Sequence, residues 1–338
     1  MISNSHSIAL VTGATGAVGQ ALIEALRQLG ISVRGYGRNR PKISLCQDFV
    51  VGDINDKAKL AEAMRDVDCV FHLAALLHIN NPTADMKRLY WETNVEGTRS
   101  VCQAALEAGV DRTIVYSTIN VYVGSFGNGL LNEATPPNPT NWYAESKLAS
   151  EKIALSFPGT DVLRLAPVYG RGLKGNYGRY LRLAQRGVIP IVGDGTNRQT
   201  LIHAVDVARA SIACASRTKI SDKAMNLCDP SPYSLNEIAE SISKAIQKRP
   251  RIVHIPKWAA MGAATLLERG LGLIGKNSSI GPAQIERMCE DVAVDGSALW
   301  RELGMAPAVS LVDGWRDAAG ELNLIETLES ARHCQRAA

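Results

Sequence analysis

Residues 1–170 predict a doubly wound α/β fold, a parallel sheet with helices on both faces, on three observations. Short β-branched runs alternate with longer stretches of helical spacing. The runs are nearly continuous in apolar character, as strands buried on both faces must be. The first run passes through a glycine-rich turn straight into an amphipathic stretch.

Ile8-Ala-Leu-Val11 is the first strand, and Thr12-Gly13-Ala14-Thr15-Gly16-Ala17-Val18-Gly19 is the turn that ends it. Val18, Leu22, Ile23, Leu26 and Leu29 then fall on one helical face. Ile31-Ser-Val33, Phe49-Val-Val51, Cys69-Val-Phe-His-Leu73, Thr113-Ile-Val-Tyr116 and Val162-Leu-Arg-Leu165 supply five further strands. Parallel strands joined by helices cross over right-handedly, which gives the sheet its winding. After Pro167 the pattern changes. Tyr169 to Asn197 is rich in Gly and Arg and reads as turns, and Thr200-Leu-Ile-His203 leads into a helix near Val205. Ala224-Met-Asn-Leu-Cys228 is a strand expected to rejoin the sheet. A helix over Leu235–Gln247, a strand Arg251–Ile255, the apolar segment Trp258–Ile274 and a helix after Ser310 complete the chain. The expected division is a Rossmann-type domain over 1–170, with 200–229 returning to it. Residues 171–199 and 230–338 then form a smaller substrate lobe, without a large core of its own, over the sheet's carboxyl edge.

Composition limits the function. Of 338 residues, 46% are hydrophobic and 21% charged, which excludes a disordered, collagen-like or coiled-coil chain. The 37 Lys+Arg against 33 Asp+Glu are spread along the chain without the dense basic arm that nucleic acid demands. A nucleic-acid partner is not expected, whereas an acidic small molecule is. Seven cysteines, odd in number and without a CxxC or Cys/His cluster, read as reduced thiols of a cytoplasm, with no metal site. His72, His78, His203 and His254 lack ligand spacing and read as structural, and His203-x2-Asp206 resembles a strand-to-helix junction in which the Asp caps the helix. Met1–Ser7 is polar, unlike a secretory leader. Trp258–Ile274, broken by Glu268 and Arg269, is too short to span a bilayer, although its flanking Lys257 and Lys276 suit an interface.

Gly13, Gly16 and Gly19, with Thr15, Ala17 and Val18 between and beside them, form a turn whose backbone can approach a diphosphate at a helix N-terminus. An NAD site usually has an acid at the end of the second strand. Here Gly37 leaves room and Arg38 brings a cation for a 2′-phosphate, with Arg34 and Arg40 nearby, so NADP is expected and NAD stays open. Asp53, followed by Ile54, is placed to accept from an adenine amino group, or else to cap the helix Lys57–Met64. Tyr143 and Lys147 stand four apart at the start of a helix and share one face. A phenol beside an ammonium can lose its proton more easily and take one from a hydroxyl. Ser117-Thr118 closes the fifth strand, at the edge where such sheets bind ligands.

With Leu73-Ala-Ala75, Asn94 in Thr93-Asn-Val-Glu-Gly-Thr98 and Pro167-Val-Tyr-Gly170, these motifs resemble the extended short-chain dehydrogenase/reductase superfamily, the NAD-dependent epimerase/dehydratase family. The resemblance covers the chain in order. It implies that Tyr143 is the acid/base, that Lys147 binds the nicotinamide ribose and lowers the tyrosine pKa, and that Thr118 bonds the reacting oxygen. It also implies that Leu73, Ala74, Ala75, Ser117, Pro167 and Val168 line the cofactor and that Asn94 steadies the helix beside it. Within the superfamily the chain is most similar to nucleotide-sugar 4-epimerases and 4-ketoreductases, which implies hydride transfer at C4 of a nucleoside-diphosphate sugar, with a UDP-sugar as the expected partner. Arg171, Lys174, Asn176, Arg179 and Arg198 are then candidates for the nucleotide diphosphate, Arg198 foremost for its bidentate geometry. Ile119-Asn120 stands where dehydratases carry Asp-Glu, so elimination of water is disfavoured. Gly37-Arg38 speaks against an epimerase that holds only NAD. Ile255-Pro-Lys-Trp258 resembles 3β-hydroxysteroid dehydrogenase-like members, so a lipid alcohol is the alternative substrate. A non-catalytic NADPH-binding regulator is the alternative of another class. A homodimer is expected through Tyr90, Trp91 and a long helix from Asn94 to Ala108.

Overall fold

The computed structural model describes residues 7–41, 45–77, 79, 83–171, 176–217, 221, 223–273 and 281–324. Lys174, His78, Lys276 and Cys334 lie outside the described residues, as does the side chain of Asn176.

The first strands follow the apolar runs: β1 (Ile8–Thr12), β2 (Ser32–Gly37), β3 (Asp48–Val51), β4 (Cys69–His72), β5 (Arg112–Thr118) and β6 (Thr160–Leu165). Between them run α1 (Ala17–Gln28), α2 (Lys57–Ala63), α3 (Ala84–Tyr90), α4 (Gly97–Glu107) and α5 (Trp142–Ala154). Next come β7 (Val168–Tyr169), α6 (Asn176–Gln185), β8 (Val188–Val192), β9 (Arg198–Gln199), β10 (Ile202–His203), α7 (Ala204–Ser216) and β11 (Met225–Leu227). The chain continues through β12 (Tyr233–Ser234), α8 (Leu235–Ala245), β13 (Arg251–Ile255), α9 (Lys257–Leu273), α10 (Pro282–Met288), α11 (Ser297–Leu303) and α12 (Leu311–Glu321).

Seven parallel strands form the main sheet in the order β11-β6-β5-β4-β1-β2-β3. This is the Rossmann-like α/β fold. The strand order reverses between β1 and β4, and that switch point opens a crevice at the carboxyl ends of the strands. Each β5 residue is buried, which fits the apolar run Ile114-Val-Tyr116 at its centre. Leu22, Ile23 and Leu26 of α1 pack on the sheet beside Val207 and Ala208 of α7, and Trp300 of α11 closes the same core.

Tyr169–Asn197, read from sequence as turns, contains α6 and β8; β8 pairs in parallel with β13 rather than with the main sheet. The chain after Pro167 also has an apolar core, contrary to expectation. Trp315, Tyr169, Leu181, Ile189, Leu235 and Ile242, from five separate elements, make up its buried centre. Sequence periodicity shows no single element rich enough to announce it. The expected long helix containing Asn94 to Ala108 is present and starts earlier: α3 runs without a break through a wide π-turn at Trp91–Glu96 into α4. Tyr90, expected on an outward face, is 1% exposed and bonded within the protein.

Candidate active site

Gly13 is the pivot of the turn after β1. Its φ of +70° lies in the left-handed region, and a Cβ there would stand 2.9 Å from Ala74 N and from Leu73 C. The turns after β1 and β4 therefore touch through main chain, and only glycine fits between them. At Gly19 a Cβ would meet Gly13 O at 2.5 Å, so this glycine lets α1 lie close to the turn. Gly16 is the N-cap of α1 and has no side-chain cap, and no acidic residue stands in the first turn. The leading N–H groups, at Ala17 and beyond, point outward with the positive end of the helix dipole, which suits a diphosphate.

A cleft of about 340 Å³ opens over this turn, lined by Gly13, Thr15, Gly16, Arg38, Asp53, Ile54 and the 73–77 segment, which includes Leu73, Ala74 and Ala75. A larger cavity of about 510 Å³ lies against the outer face of α1 near Glu24, His203 and Asp317, away from the glycine turn. The three arginines in and just after β2 divide their work. Arg34 bonds Asp48 at 2.7 Å and the carbonyls of Ala63 and Arg65, and Arg40 bonds the carbonyl of Phe49. Arg38 is exposed at the cleft mouth, and no guanidinium bond is formed to a described residue. The helix-cap reading of Asp53 fails, because Asp56 caps α2 by accepting from Lys59 N. Asp53 instead accepts from Asn55 N and faces the cleft, while its carbonyl holds the Tyr36 hydroxyl at 2.7 Å. Val18 and Gly19 lie in α1 itself. The bare helix end, the glycine contacts and this cleft fit a dinucleotide.

On the other side of the switch point, Asn141 caps α5 by accepting from Ala144 N, which sets Tyr143 in the first turn and Lys147 one turn later. Tyr143 is 9% exposed and Lys147 3%. The phenol hydrogen-bonds the Thr118 hydroxyl, which ends β5 and also accepts from Asn120 N at 3.2 Å. Burial pushes the Tyr143 phenol up to about 12 despite that bond. Burial brings the Lys147 ammonium down to about 8, against the raising charge of Glu151. The phenol is thus held protonated and the lysine largely charged at neutral pH.

A chain of hydrogen bonds joins the cleft wall to α5. Asn94, 1% exposed in the π-turn, accepts from Leu76 N at 2.7 Å and donates to Leu76 O at 3.1 Å and Ser146 Oγ at 3.0 Å. Ser146 donates in turn to Tyr143 O. The Thr98 hydroxyl donates to Asn94 O, so its oxygen accepts from His72 Nε2, and His72 Nδ1 accepts from Thr12. Burial and the Lys147 charge hold this imidazole down at about 3. Sequence spacing gave no hint of this linkage through His72.

Several expected residues are engaged elsewhere. Ser117 donates to Glu151 at 2.5 Å, and Glu151 pairs with Arg164, buried beside Tyr122. Arg198 holds Asp291 through its backbone N and through guanidinium Nε and Nη2, and Arg171 pairs with Asp317. The Arg198 fork is therefore already paired, by a residue 93 positions away that no local pattern announces. Arg179 is exposed on α6, and Pro167 and Val168 follow the end of β6. His203, not Asp206, caps α7; Asp206 instead accepts from Arg209, Ala308 N and Val309 N.

The family model for the NAD dependent epimerase/dehydratase family matches residues 9–228, nearly two thirds of the chain. The chain belongs to that family. A protein of Sinorhizobium fredii, y4nG, is 31% identical over 89% of this chain and 75% of its own. The UDP-glucose 4-epimerase of Vibrio cholerae is 27% identical over 92% of this chain and 94% of its own. Among solved structures, MoeE5 in complex with UDP-glucose and NAD superposes with a TM-score of 0.71 at 27% identity, covering 94% of this chain and 99% of that one. The epimerase/dehydratase family is NAD-dependent, and the chain is an enzyme of the extended short-chain dehydrogenase/reductase type.

Proposed function

We propose that this family member is an oxidoreductase acting by hydride transfer at C4 of a nucleoside-diphosphate sugar, as a 4-epimerase or a 4-keto reductase. One observation carries the reading: the Tyr143 phenol bonded to Thr118, with Lys147 buried one turn along α5. The UDP-sugar names of the Vibrio epimerase and of MoeE5 support the substrate class.

A nicotinamide dinucleotide bound in the cleft would accept or donate the hydride. Gly13, Thr15, Gly16 and the first turn of α1 would hold its diphosphate, Asp53 and Ile54 would flank the adenine, and Arg38 would favour a 2′-phosphate. That makes NADP the preferred form, within an otherwise NAD-dependent family. Tyr143 gives its proton to the substrate oxygen in reduction and takes it back in oxidation, while Thr118 orients that oxygen. Lys147, one turn along α5, would supply positive charge to stabilise the phenolate left after proton transfer. Arg179 and the Arg198–Asp291 pair, in the part of the chain after Pro167, would meet the sugar nucleotide.

The test is to purify the protein untreated, denature it and identify any nucleotide released. Near-stoichiometric NAD assigns an epimerase that recycles its own hydride. An empty protein that binds NADPH more tightly than NADH assigns a reductase, and failure to bind either refutes the proposal.

A further inference from the structure

α9 is apolar on both of its sides, and one side is bare. Ala260 and Ala264, 9% and 3% exposed, pack with Val192 and Ile285. Trp258 is 80% exposed, Leu266 74% and Leu267 46%. Trp258, Gly262 and Leu266 stand four apart and form a single stripe along the helix. A helix apolar all round is ordinarily covered all round.

The chemistry of the stripe selects what covers it. From Trp258 to Leu267 no side chain is charged, and the Thr265 hydroxyl is engaged by the Met261 carbonyl at 2.9 Å. Specific protein interfaces are fixed in register by about one hydrogen bond per 100–200 Å², and this face offers one donor for that purpose, the indole N–H of Trp258 at its end, a group equally suited to the headgroup level of a bilayer. Charge appears only at its ends. Lys257 precedes Trp258 and Arg269 follows Leu267, whereas the Glu268 carboxylate folds back against the Gly281 backbone at the start of α10. An aliphatic stripe with a terminal Trp and cationic ends matches the interface of an anionic bilayer in both polarity and charge. At 17 residues α9 is about 25 Å long at ~1.5 Å per residue, and among the described residues no helix is long and apolar enough to cross a membrane.

We propose that α9 seats this enzyme on the surface of an anionic lipid bilayer. It lies in the plane of the interface, with Trp258, Leu266 and Leu267 below the headgroups and Lys257 and Arg269 among them.

The test is sedimentation of the full chain with vesicles of phosphatidylcholine alone and of phosphatidylcholine mixed with phosphatidylglycerol, at low and high salt. The wild type should sediment with the mixed vesicles, less so at high salt. Leu266→Glu and Trp258→Ala should each weaken partitioning at least about tenfold, as loss of one buried large apolar side chain predicts, with unchanged circular dichroism and dinucleotide binding. A wild type that stays in the supernatant with every vesicle overturns the proposal, as does a Leu266→Glu protein that sediments equally well. An oligomer that Leu266→Glu dissociates, with no vesicle binding by either form, assigns the face to a second copy of the chain and likewise overturns it.

Discussion

Replacing Asn94 with alanine removes three hydrogen bonds in one step, to Leu76 N, Leu76 O and Ser146 Oγ. Each contributes about 1 kcal/mol net, and the buried Ser146 hydroxyl loses a donor that water cannot easily replace. Leu76 is half-buried, so its main-chain groups regain part of their bonding from solvent. The expected loss is about 2–3 kcal/mol of folding stability, or roughly 3–6 °C in Tm. Because Leu76 lines the cleft and Ser146 bonds the Tyr143 carbonyl, the same change should loosen both halves of the site. Dinucleotide affinity should fall about tenfold, equivalent to ~1.4 kcal/mol. Urea unfolding and fluorescence titration with NADPH measure the two effects on one preparation. Stability and affinity both within ~0.5 kcal/mol of wild type, the range of an ordinary surface change, would refute the claim that Asn94 joins the cleft wall to the helix of Tyr143.

Gly13→Ala places a residue at φ +70°, costing about 1–2 kcal/mol, with its Cβ against main chain that cannot rotate away; titration should show dinucleotide binding weakened more than tenfold. Arg38→Ala should weaken NADPH about tenfold, the value of one partly exposed charge-assisted bond, and leave NADH unchanged in the same titration. The Lys147 pKa of about 8 is lowered by burial, so its ammonium is present below that pH and is lost as pH rises through it; the reductive rate should fall on that alkaline limb. Glu151 raises this pKa, so Glu151→Gln should move the limb to lower pH in a pH–rate profile. Because Glu151→Gln alone leaves Arg164 buried without its partner, Glu151→Gln combined with Arg164→Met should show the same shift in a protein that folds.

The main sheet was legible because β4, β5 and β6 are buried on both faces and so carry short apolar cores, Val70-Phe71, Ile114-Val-Tyr116 and Val162-Leu163, even where buried Arg112, Asp161 and Arg164 interrupt them. The shared face of Tyr143 and Lys147 was legible because helix geometry turns a spacing of four into one face, and the tight turn after β1 because glycine alone tolerates Gly13's backbone. What stayed hidden depends on distant pairing. Asp291 meets Arg198 from 93 residues away, and the second core gathers Tyr169 and Trp315 from opposite ends of the chain's second part. α6 and β8 were masked by the Gly and Arg residues around them. The π-turn at Trp91–Glu96 has no periodic signature, yet it aims Asn94 at Leu76.

The most direct test of the account is to load wild-type and Tyr143→Phe protein with oxidised dinucleotide, add a panel of UDP-hexoses, and follow the absorbance of reduced nicotinamide. The wild type should develop that signal with at least one sugar, and Tyr143→Phe should do so about 10²–10⁴-fold more slowly, the usual contribution of a positioned acid/base. Equal rates in the two proteins would contradict the assignment of proton transfer to Tyr143.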